Sequence, residues 1–230
     1  MDATNSETRR FVILISGRGS NMQALVKVLA DPALKARVCA VISNRPDASG
    51  LEWARRQGLE TVALDHRAYA SRELFDAALG DAVASFRPDY ILLAGFMRVL
   101  TDAFVQRFER RIVNIHPSLL PAFPGMHTHR QALAAGVAWH GCTVHFVTPV
   151  LDHGPIIAQA AVPVEAHDSE ETLAQRVLQV EHPLYARAAR WLAQGRVSLD
   201  GQGRVSITGN PMRSFWLAAD EGRIAPGEQE

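Results

Sequence analysis

The sequence predicts an α/β protein with a doubly wound, mostly parallel sheet and a C-terminal antiparallel hairpin. Between residues 11 and 116, short apolar runs alternate with helical patterns, and this order is typical of a parallel sheet. The apolar runs are continuous and do not alternate with polar residues, as expected for strands that are covered on both faces. Strands and helices can therefore be assigned in order along the chain.

Five strands are predicted in the first half, over residues 11–16, 37–43, 61–64, 90–95 and 111–116. Three helices are predicted between them, over residues 21–29, 50–57 and 71–86. Ser71 suits the N-cap of the third helix, because its hydroxyl can accept a hydrogen bond from the first helical turn. These elements account for the parallel part of the sheet.

The pattern changes after residue 116, where three prolines predict a loop over 117–125. The next predicted elements are a short helix over 129–135 and two strands over 141–147 and 155–164. Asp152 and Gly154 lie between these two strands and predict a turn, because Asp and Gly are common turn residues.

Asp168 and Glu171 have the spacing of a capping box, which predicts the start of a long helix that ends near Gln194. The segments 197–200 and 204–207 flank a Gly-Gln-Gly turn and predict the terminal hairpin. We expect a single domain over residues 11–208, with a flexible leader (1–10) before it and an irregular tail (209–230) after it.

The charge balance excludes some classes of partner. Lys and Arg number 24, as do Asp and Glu, and a formal net charge of zero argues against broad binding to nucleic acid or to a membrane surface. The N-terminus lacks the apolar core of a signal peptide, and no apolar run approaches the roughly 20 residues of a membrane helix. We expect a cytoplasmic protein with small-molecule substrates, and the sequence leaves a homodimer open.

The motif SGRGSN (16–21) follows the first strand and begins a helix. Glycines allow a tight turn, and the free N–H groups of the helix start favour an anion. Ser20 and Asn21 add side-chain donors, so the motif predicts a phosphate site at the carboxyl end of a strand. It lacks the third glycine of a dinucleotide fingerprint, where Met22 stands, and the lysine of a Walker A loop. The alternative is a plain strand–helix turn.

A second motif, NIHPSLLP (114–121), ends the fifth strand. Asn114 and His116 are two residues apart, so on a strand they face the same side. An amide can donate to a developing oxyanion, and an imidazole can handle a proton near neutral pH. This pair predicts acyl-transfer chemistry. The alternative is a histidine whose nitrogens are satisfied by backbone groups.

Asp152 in LDHGPII (151–157) has two interpretations that its spacing does not separate. It can shape the turn before Gly154, or its carboxylate can orient His116 and select its tautomer.

The other candidate ligands are less specific. Met97, Val99 and Leu100 in GFMRVL (95–100) can line an apolar slot or simply pack under a loop. Five more histidines occur at positions 127, 129, 140, 145 and 153. Because they do not have metal-ligand spacing and no CxxC motif exists, we expect no metal.

Together these motifs resemble the folate-dependent formyltransferases, in the same order and spacing over about residues 11–195. The resemblance also rests on PGMHTHRQAL (124–133) and HGCTVHFV (140–147). It implies a Rossmann-like formyltransferase fold. It also implies transfer of the formyl group of 10-formyltetrahydrofolate to the amine of 5-phosphoribosylglycinamide in de novo purine (IMP) biosynthesis.

The resemblance also implies roles for individual residues. The catalytic triad would be Asn114, His116 and Asp152. The residues on the acceptor's phosphate and ribose would be Gly19, Ser20, Asn21 and Glu181. The folate side would include Arg72, Met97, Arg98, Val99 and Leu100. On the last helix, where some members carry a glutamine near the phosphate, this sequence has Leu178 with Gln179 beside it.

Two other functions stay open, namely hydrolysis of formyltetrahydrofolate and a non-catalytic folate-binding or nucleotide-binding module. The hydrolases typically carry a second histidine where Pro117 stands, and an N-terminal regulatory domain. Methionyl-tRNA formyltransferases share NIHPSLLP but follow it with an Arg-Gly-Ala-Pro stretch, whereas the loop here reads PAFPGMHTHR.

Overall fold

The computed structural model describes residues 8–216. Its strands are β1 (Arg9–Ile15), β2 (Ala36–Ser43), β3 (Thr61–Ala63), β4 (Tyr90–Leu93), β5 (Ile112–His116), β6 (Trp139–Phe146), β7 (Ile156–Pro163), β8 (Val197–Leu199), β9 (Val205–Ile207) and β10 (Ser214–Trp216). Its α-helices are α1 (Ser20–Leu29), α2 (Ser49–Arg56), α3 (Arg72–Ser85), α4 (Asp102–Arg107), α5 (Thr128–Ala135) and α6 (Glu170–Ala193).

Eight strands form one sheet in the order β10-β7-β6-β5-β4-β1-β2-β3, and β8 pairs with β9 in a separate hairpin. Strands β1 to β5 are parallel, and β6 is antiparallel to both β5 and β7. The strand order reverses beside β1, as in a doubly wound fold. The predicted mostly parallel sheet and the antiparallel hairpin are thereby confirmed.

Strand β1 shows why continuous apolar runs predict a covered sheet. Phe11, Ile13 and Ile15 belong to one core cluster, together with side chains of α1, α2, α5 and α6. Val12 and Leu14 belong to a second cluster, together with side chains of α3 and α4. Since successive strand residues point to opposite faces, an apolar residue at every position buries both faces, and three layers result.

Helix α6 is fixed to the centre of the sheet by a buried tyrosine. The Tyr185 hydroxyl lies 3.1 Å from the Leu93 carbonyl oxygen and 2.9 Å from that of Val113. Its single proton is therefore shared between carbonyl groups of β4 and β5, and the phenol is satisfied without water. Glu181 lies one turn earlier on the same face of the helix, so this anchor determines where the Glu181 carboxylate lies.

The N-terminus of α6 differs by one residue from its prediction. Ser169 is the N-cap, and its capping box is completed by Thr172, so Asp168 and Glu171 do not form it. Asp168 instead binds Arg176 through two contacts of 2.5 and 2.8 Å, which lower the pKa of Asp168 to about 2. The threonine hydroxyl closes the capping box here, a role that the sequence pattern assigned to a glutamate.

Two boundaries need correction, and one helix was missed. β1 begins at Arg9, inside the predicted leader, because Arg9 and Arg10 pair with β2; residues 1–7 lie outside the described residues. The predicted irregular tail contains β10, which adds to β7 and buries Phe215 under the Arg187 guanidinium; its residues 217–230 also lie outside the described range. Helix α4, capped by Thr101, was not predicted.

Within residues 8–216, none of the helices combines the length and the apolar character needed to cross a membrane.

Candidate active site

A cleft of about 570 Å³ opens between the carboxyl ends of β1 and β4. The chain leaves these neighbouring strands toward opposite faces of the sheet, because α1 packs on one face and α4 on the other. Ligands of open α/β sheets bind at such a reversal of strand order. The cleft is lined by residues 16–21, 44–45, 66, 94–95 and 97–98, which include the predicted phosphate motif.

The loop before α1 has the geometry of an anion site. Gly19 occupies the N-cap with φ of +71°, and no side chain caps the helix. The first intrahelical bond runs from Gln23 N–H to the Gly19 carbonyl, so the earlier N–H groups of the helix remain available. Gly50 on α2 donates its N–H to the Gly17 carbonyl at 3.1 Å. This hydrogen bond from α2 fixes the loop backbone, while the N–H groups at the start of α1 stay free.

Asn21 and Glu181 form a buried pair that joins α1 to α6. Asn21 Nδ2 donates to Glu181 Oε2 at 2.7 Å, and both residues are buried. Burial raises the pKa of Glu181, and the hydrogen bond from Asn21 opposes this shift in part. Asn21 Oδ1 is buried without a partner among the described residues. The pair therefore offers oxygen acceptors, which suit ligand hydroxyl groups.

The structure brings Asn114, His116 and Asp152 together at the end of β5. His116 Nδ1 lies 3.5 Å from Asp152 Oδ2, and His116 Nε2 lies 3.0 Å from the Phe123 carbonyl oxygen. Both ring nitrogens thus face oxygen atoms, so the doubly protonated imidazole would satisfy both contacts. Asp152 Oδ2 also accepts the Gly125 N–H at 2.8 Å.

The structure of Asp152 fits both roles that its spacing left open, namely shaping the turn and contacting His116. Its φ of +52° lies in the left-handed region, which Asp tolerates better than most residues and which fits a turn former. Its side chain is nevertheless only 8% exposed and lies against His116. A turn former with no other role would face solvent, so the carboxylate has a second structural function at this histidine.

His145 is a site residue that the sequence motifs did not indicate, since it was weighed there only as a metal ligand. It lies opposite Asn114 in the β5–β6 register, and its Nε2 is 3.3 Å from Asn114 Nδ2. Its Nδ1 lies 2.9 Å from the Phe146 carbonyl oxygen, so Nδ1 carries the proton and Nε2 accepts from the amide. Burial lowers the pKa of His145 and favours this neutral form. His145 therefore orients the amide of Asn114.

The remaining histidines are divided between surface and interior. His127 and His153 are exposed, as expected of loop histidines, but His140 is buried and its Nε2 contacts His129 Nδ1 at 3.1 Å. In the part of the chain that the structure describes, no three His, Cys, Asp or Glu side chains are grouped so that they could hold a metal ion. The absence of a metal stays a prediction.

The predicted folate residues lie around the loop after β4. Met97 and Val99 are exposed, and Leu74 on α3 is also exposed. The Arg98 guanidinium lies over the Phe75 ring at 4.8 Å, and Arg72 is exposed at the start of α3. Leu100 packs into the core, so only its backbone can face a ligand.

Ser16 connects this loop to the phosphate loop. Its hydroxyl accepts the Met97 N–H at 2.8 Å and donates to Asn44 Oδ1 at 2.6 Å. The loops on the two sides of the cleft are therefore positioned relative to each other by one buried side chain.

Comparison with known proteins identifies the family. The model for formyl transferase matches residues 9–189. The chain belongs to the formyl transferase family. Phosphoribosylglycinamide formyltransferase of Escherichia coli strain K12 is 47% identical over 210 residues, which are 91% of this chain and 99% of that protein.

One further relative and one solved structure are also similar to this chain. Human trifunctional purine biosynthetic protein adenosine-3 is 44% identical over 196 residues, which are 85% of this chain and 19% of that longer protein. The crystal structure of glycinamide ribonucleotide transformylase 1 from Symbiobacterium toebii is 48% identical, with a TM-score of 0.84 over 88% of this chain and 95% of that one. The fold of this formyl transferase family member is therefore the fold of solved transformylases.

Replacement of Glu181 by glutamine tests whether the buried carboxylate lowers the free energy of unfolding. Because burial raises its pKa, the carboxylate is less stable in the folded protein than in the unfolded chain. This penalty is present above the raised pKa and disappears as the pH falls toward the ordinary value of 4.5. We expect Glu181→Gln to increase the free energy of unfolding of the ligand-free protein at pH 8, with a smaller increase near pH 5.

Urea unfolding at a series of pH values measures this difference, with Glu60→Gln, at an exposed glutamate, as the matched control. A Glu181→Gln protein that is less stable than the original at pH 8 would show that the carboxylate is needed for folding.

Proposed function

We propose that this protein transfers the formyl group of 10-formyltetrahydrofolate to the amino group of 5-phosphoribosylglycinamide, a step of de novo purine (IMP) biosynthesis. The observation that carries the proposal is the meeting of Asn114, His116 and Asp152 at the end of β5. This strand pairs with β4, whose carboxyl end lines the cleft together with the open N-terminus of α1. Family membership and the names of the relatives support it. We also propose that it acts in the cytoplasm, without a metal.

The acceptor is proposed to lie in the cleft at the start of α1, beside the Asn21–Glu181 pair. Its phosphate would meet the free N–H groups at the start of α1, where the helix dipole favours an anion. Its ribose hydroxyls would donate to the oxygens of the Asn21–Glu181 pair. These two contacts would direct the glycinamide amine toward the end of β5.

The donor is proposed to lie along the loop after β4. The exposed side chains of Met97, Val99 and Leu74 provide an apolar surface for aromatic rings. Arg72 and Arg98 would meet the glutamate carboxylates of the folate, since guanidinium groups pair well with carboxylates. This arrangement would bring the formyl carbon to Asn114 and His116.

In the proposed reaction, the neutral amine attacks the formyl carbon, so a new C–N bond forms while charge develops on the formyl oxygen. The Asn114 amide, oriented by His145, donates to this oxygen. Protonated His116 donates from Nε2, and the oxygen takes the place of the Phe123 carbonyl as acceptor. The bond from the formyl carbon to N10 of the folate then breaks.

Asp152 has two tasks in this scheme. It holds His116 in the required orientation and provides an oxygen acceptor for the proton on Nδ1. It also positions a water molecule that relays the amine proton toward N10, so that tetrahydrofolate leaves as the neutral amine. Protons and charge then balance over one turnover.

A formyl-transfer assay tests the proposed function directly. The purified protein is mixed with 10-formyltetrahydrofolate, and the absorbance of the folate product is followed with and without 5-phosphoribosylglycinamide. We expect turnover only when the acceptor is present, with formylated acceptor in equal amount. Equal turnover without the acceptor would indicate a hydrolase, and no turnover in either case would indicate a binding module.

Asn114→Ala removes the proposed oxyanion donor. A preorganised donor of this kind is typically worth about 10²–10³ in turnover, so we expect kcat to fall by about that factor while both substrates still bind. Steady-state kinetics together with calorimetric binding of each substrate separates these effects. A loss of less than about tenfold in kcat would exclude the oxyanion role.

Asp152→Asn keeps the shape of the side chain and removes its charge. Asn is itself a good turn former, so a role in the turn alone predicts nearly full activity and an unchanged pH profile. The proposed role predicts a kcat loss at least as large as that for Asn114→Ala. It also predicts a change in the pH–rate profile, because Asn can present a donor where His116 Nδ1 requires an acceptor. Measurement of kcat against pH decides between the two roles.

A further inference from the structure

Three arginines line the cleft, and they differ in their partners. Arg45 binds Asp47 through contacts of 3.1 and 3.3 Å, and Arg98 stacks on Phe75. The exposed guanidinium of Arg18 has no hydrogen-bond or ion-pair partner within residues 8–216. Arg18 is thus the cleft arginine whose charge is not already engaged by a neighbouring side chain in this range.

The backbone at Arg18 is held in place by α2. A Cβ atom at Gly50 would lie 2.9 Å from the Gly17 carbonyl oxygen, 3.1 Å from that of Arg18 and 2.6 Å from Ile15 Cδ1. Only glycine allows α2 to approach so closely, and the Gly50 N–H fixes the Gly17 carbonyl. The guanidinium therefore extends from a fixed point beside the open N-terminus of α1.

The neighbouring side chains provide few donors for a phosphate. The Asn21 amide nitrogen gives one of its two hydrogens to Glu181, and its free oxygen accepts but does not donate. On α6, Leu178 lies one turn before Glu181 on the same face and is half-buried, so the helix offers an apolar group there and no donor. A dianion at this place is left with backbone N–H groups, the second N–H of the Asn21 amide, the Ser20 hydroxyl and Arg18.

We propose that Arg18 binds the phosphate of the acceptor and determines the preference of this protein for a phosphorylated amine over the same amine without phosphate. A guanidinium forms two parallel hydrogen bonds to phosphate oxygens and stays charged at all relevant pH values. In this chain Arg18 supplies the side-chain contact that Leu178 does not. The inference rests on the proposed function, because that function places a phosphate in the cleft.

Steady-state kinetics of Arg18→Ala tests the proposal, with Arg45→Ala as the matched control in the same cleft. A hydrogen bond to a charged group is worth enough that its loss should raise the KM for the phosphorylated acceptor by about tenfold or more. We expect kcat to change little, because the contact is made equally in the ground and transition states. Arg45→Ala should change this KM much less, and Arg18→Lys should retain part of the affinity.

A second acceptor separates a phosphate contact from a structural role. For glycinamide riboside, which lacks the phosphate, kcat/KM should be the same in Arg18→Ala and in the original protein. Leu178→Gln added to Arg18→Ala should lower the raised KM again. Equal losses for both acceptors, or equal losses in Arg18→Ala and Arg45→Ala, would overturn the proposal.

Calorimetry with ribose 5-phosphate keeps this test separate from the proposed function. Weaker binding in Arg18→Ala than in the original protein supports the phosphate contact even if no formyl transfer is detected. Unchanged binding overturns the role of Arg18, whether or not the protein transfers a formyl group.

Discussion

The carboxylate of Asp152 connects separate segments of the chain at the carboxyl end of β5. Its Oδ2 contacts His116 on β5 and accepts the N–H of Gly125 in the proline-rich loop. Asp152 itself lies in the turn between β6 and β7, so one carboxylate joins three separate parts of the chain. Without the carboxylate, the Gly125 N–H and one nitrogen of His116 would lose their acceptor in a site shielded from water.

The two histidines of the site have different surroundings. His145 is buried and bonded to a carbonyl group, which favours its neutral form and makes its second nitrogen an acceptor for Asn114. His116 instead lies between a carbonyl group and a carboxylate. His145 therefore orients the Asn114 amide, whereas both ring nitrogens of His116 face oxygen atoms, although the two residues lie on neighbouring strands.

The position of the Asn21–Glu181 pair depends on the packing of helices. Tyr185 anchors α6 to β4 and β5, and this anchor holds Glu181 against Asn21 on α1. Gly50 lets α2 support the loop that begins α1. Packed residues that do not line the cleft therefore fix the positions of the groups around it.

Much of the fold was predictable because each central strand is apolar at every position and helices separate the strands. Helix α4 and strand β10 were missed, since each is short and is stabilised by distant partners, such as Arg187 over Phe215. The predicted site residues come from recognisable motifs, and the structure places Asn114, His116 and Asp152 together. His145 could not be found in this way, because its role depends on the register of β6 against β5.

The central claim is that His145 is neutral, protonated at Nδ1, and an acceptor for the Asn114 amide. NMR of ¹⁵N-labelled histidine side chains between pH 5 and 8 tests it most directly. We expect the His145 ring to show a protonated Nδ1 and an unprotonated Nε2 at pH 7, and to gain its second proton only below the ordinary pKa of 6.5. A proton on Nε2 at pH 7, or a pKa above 6.5, would contradict the account.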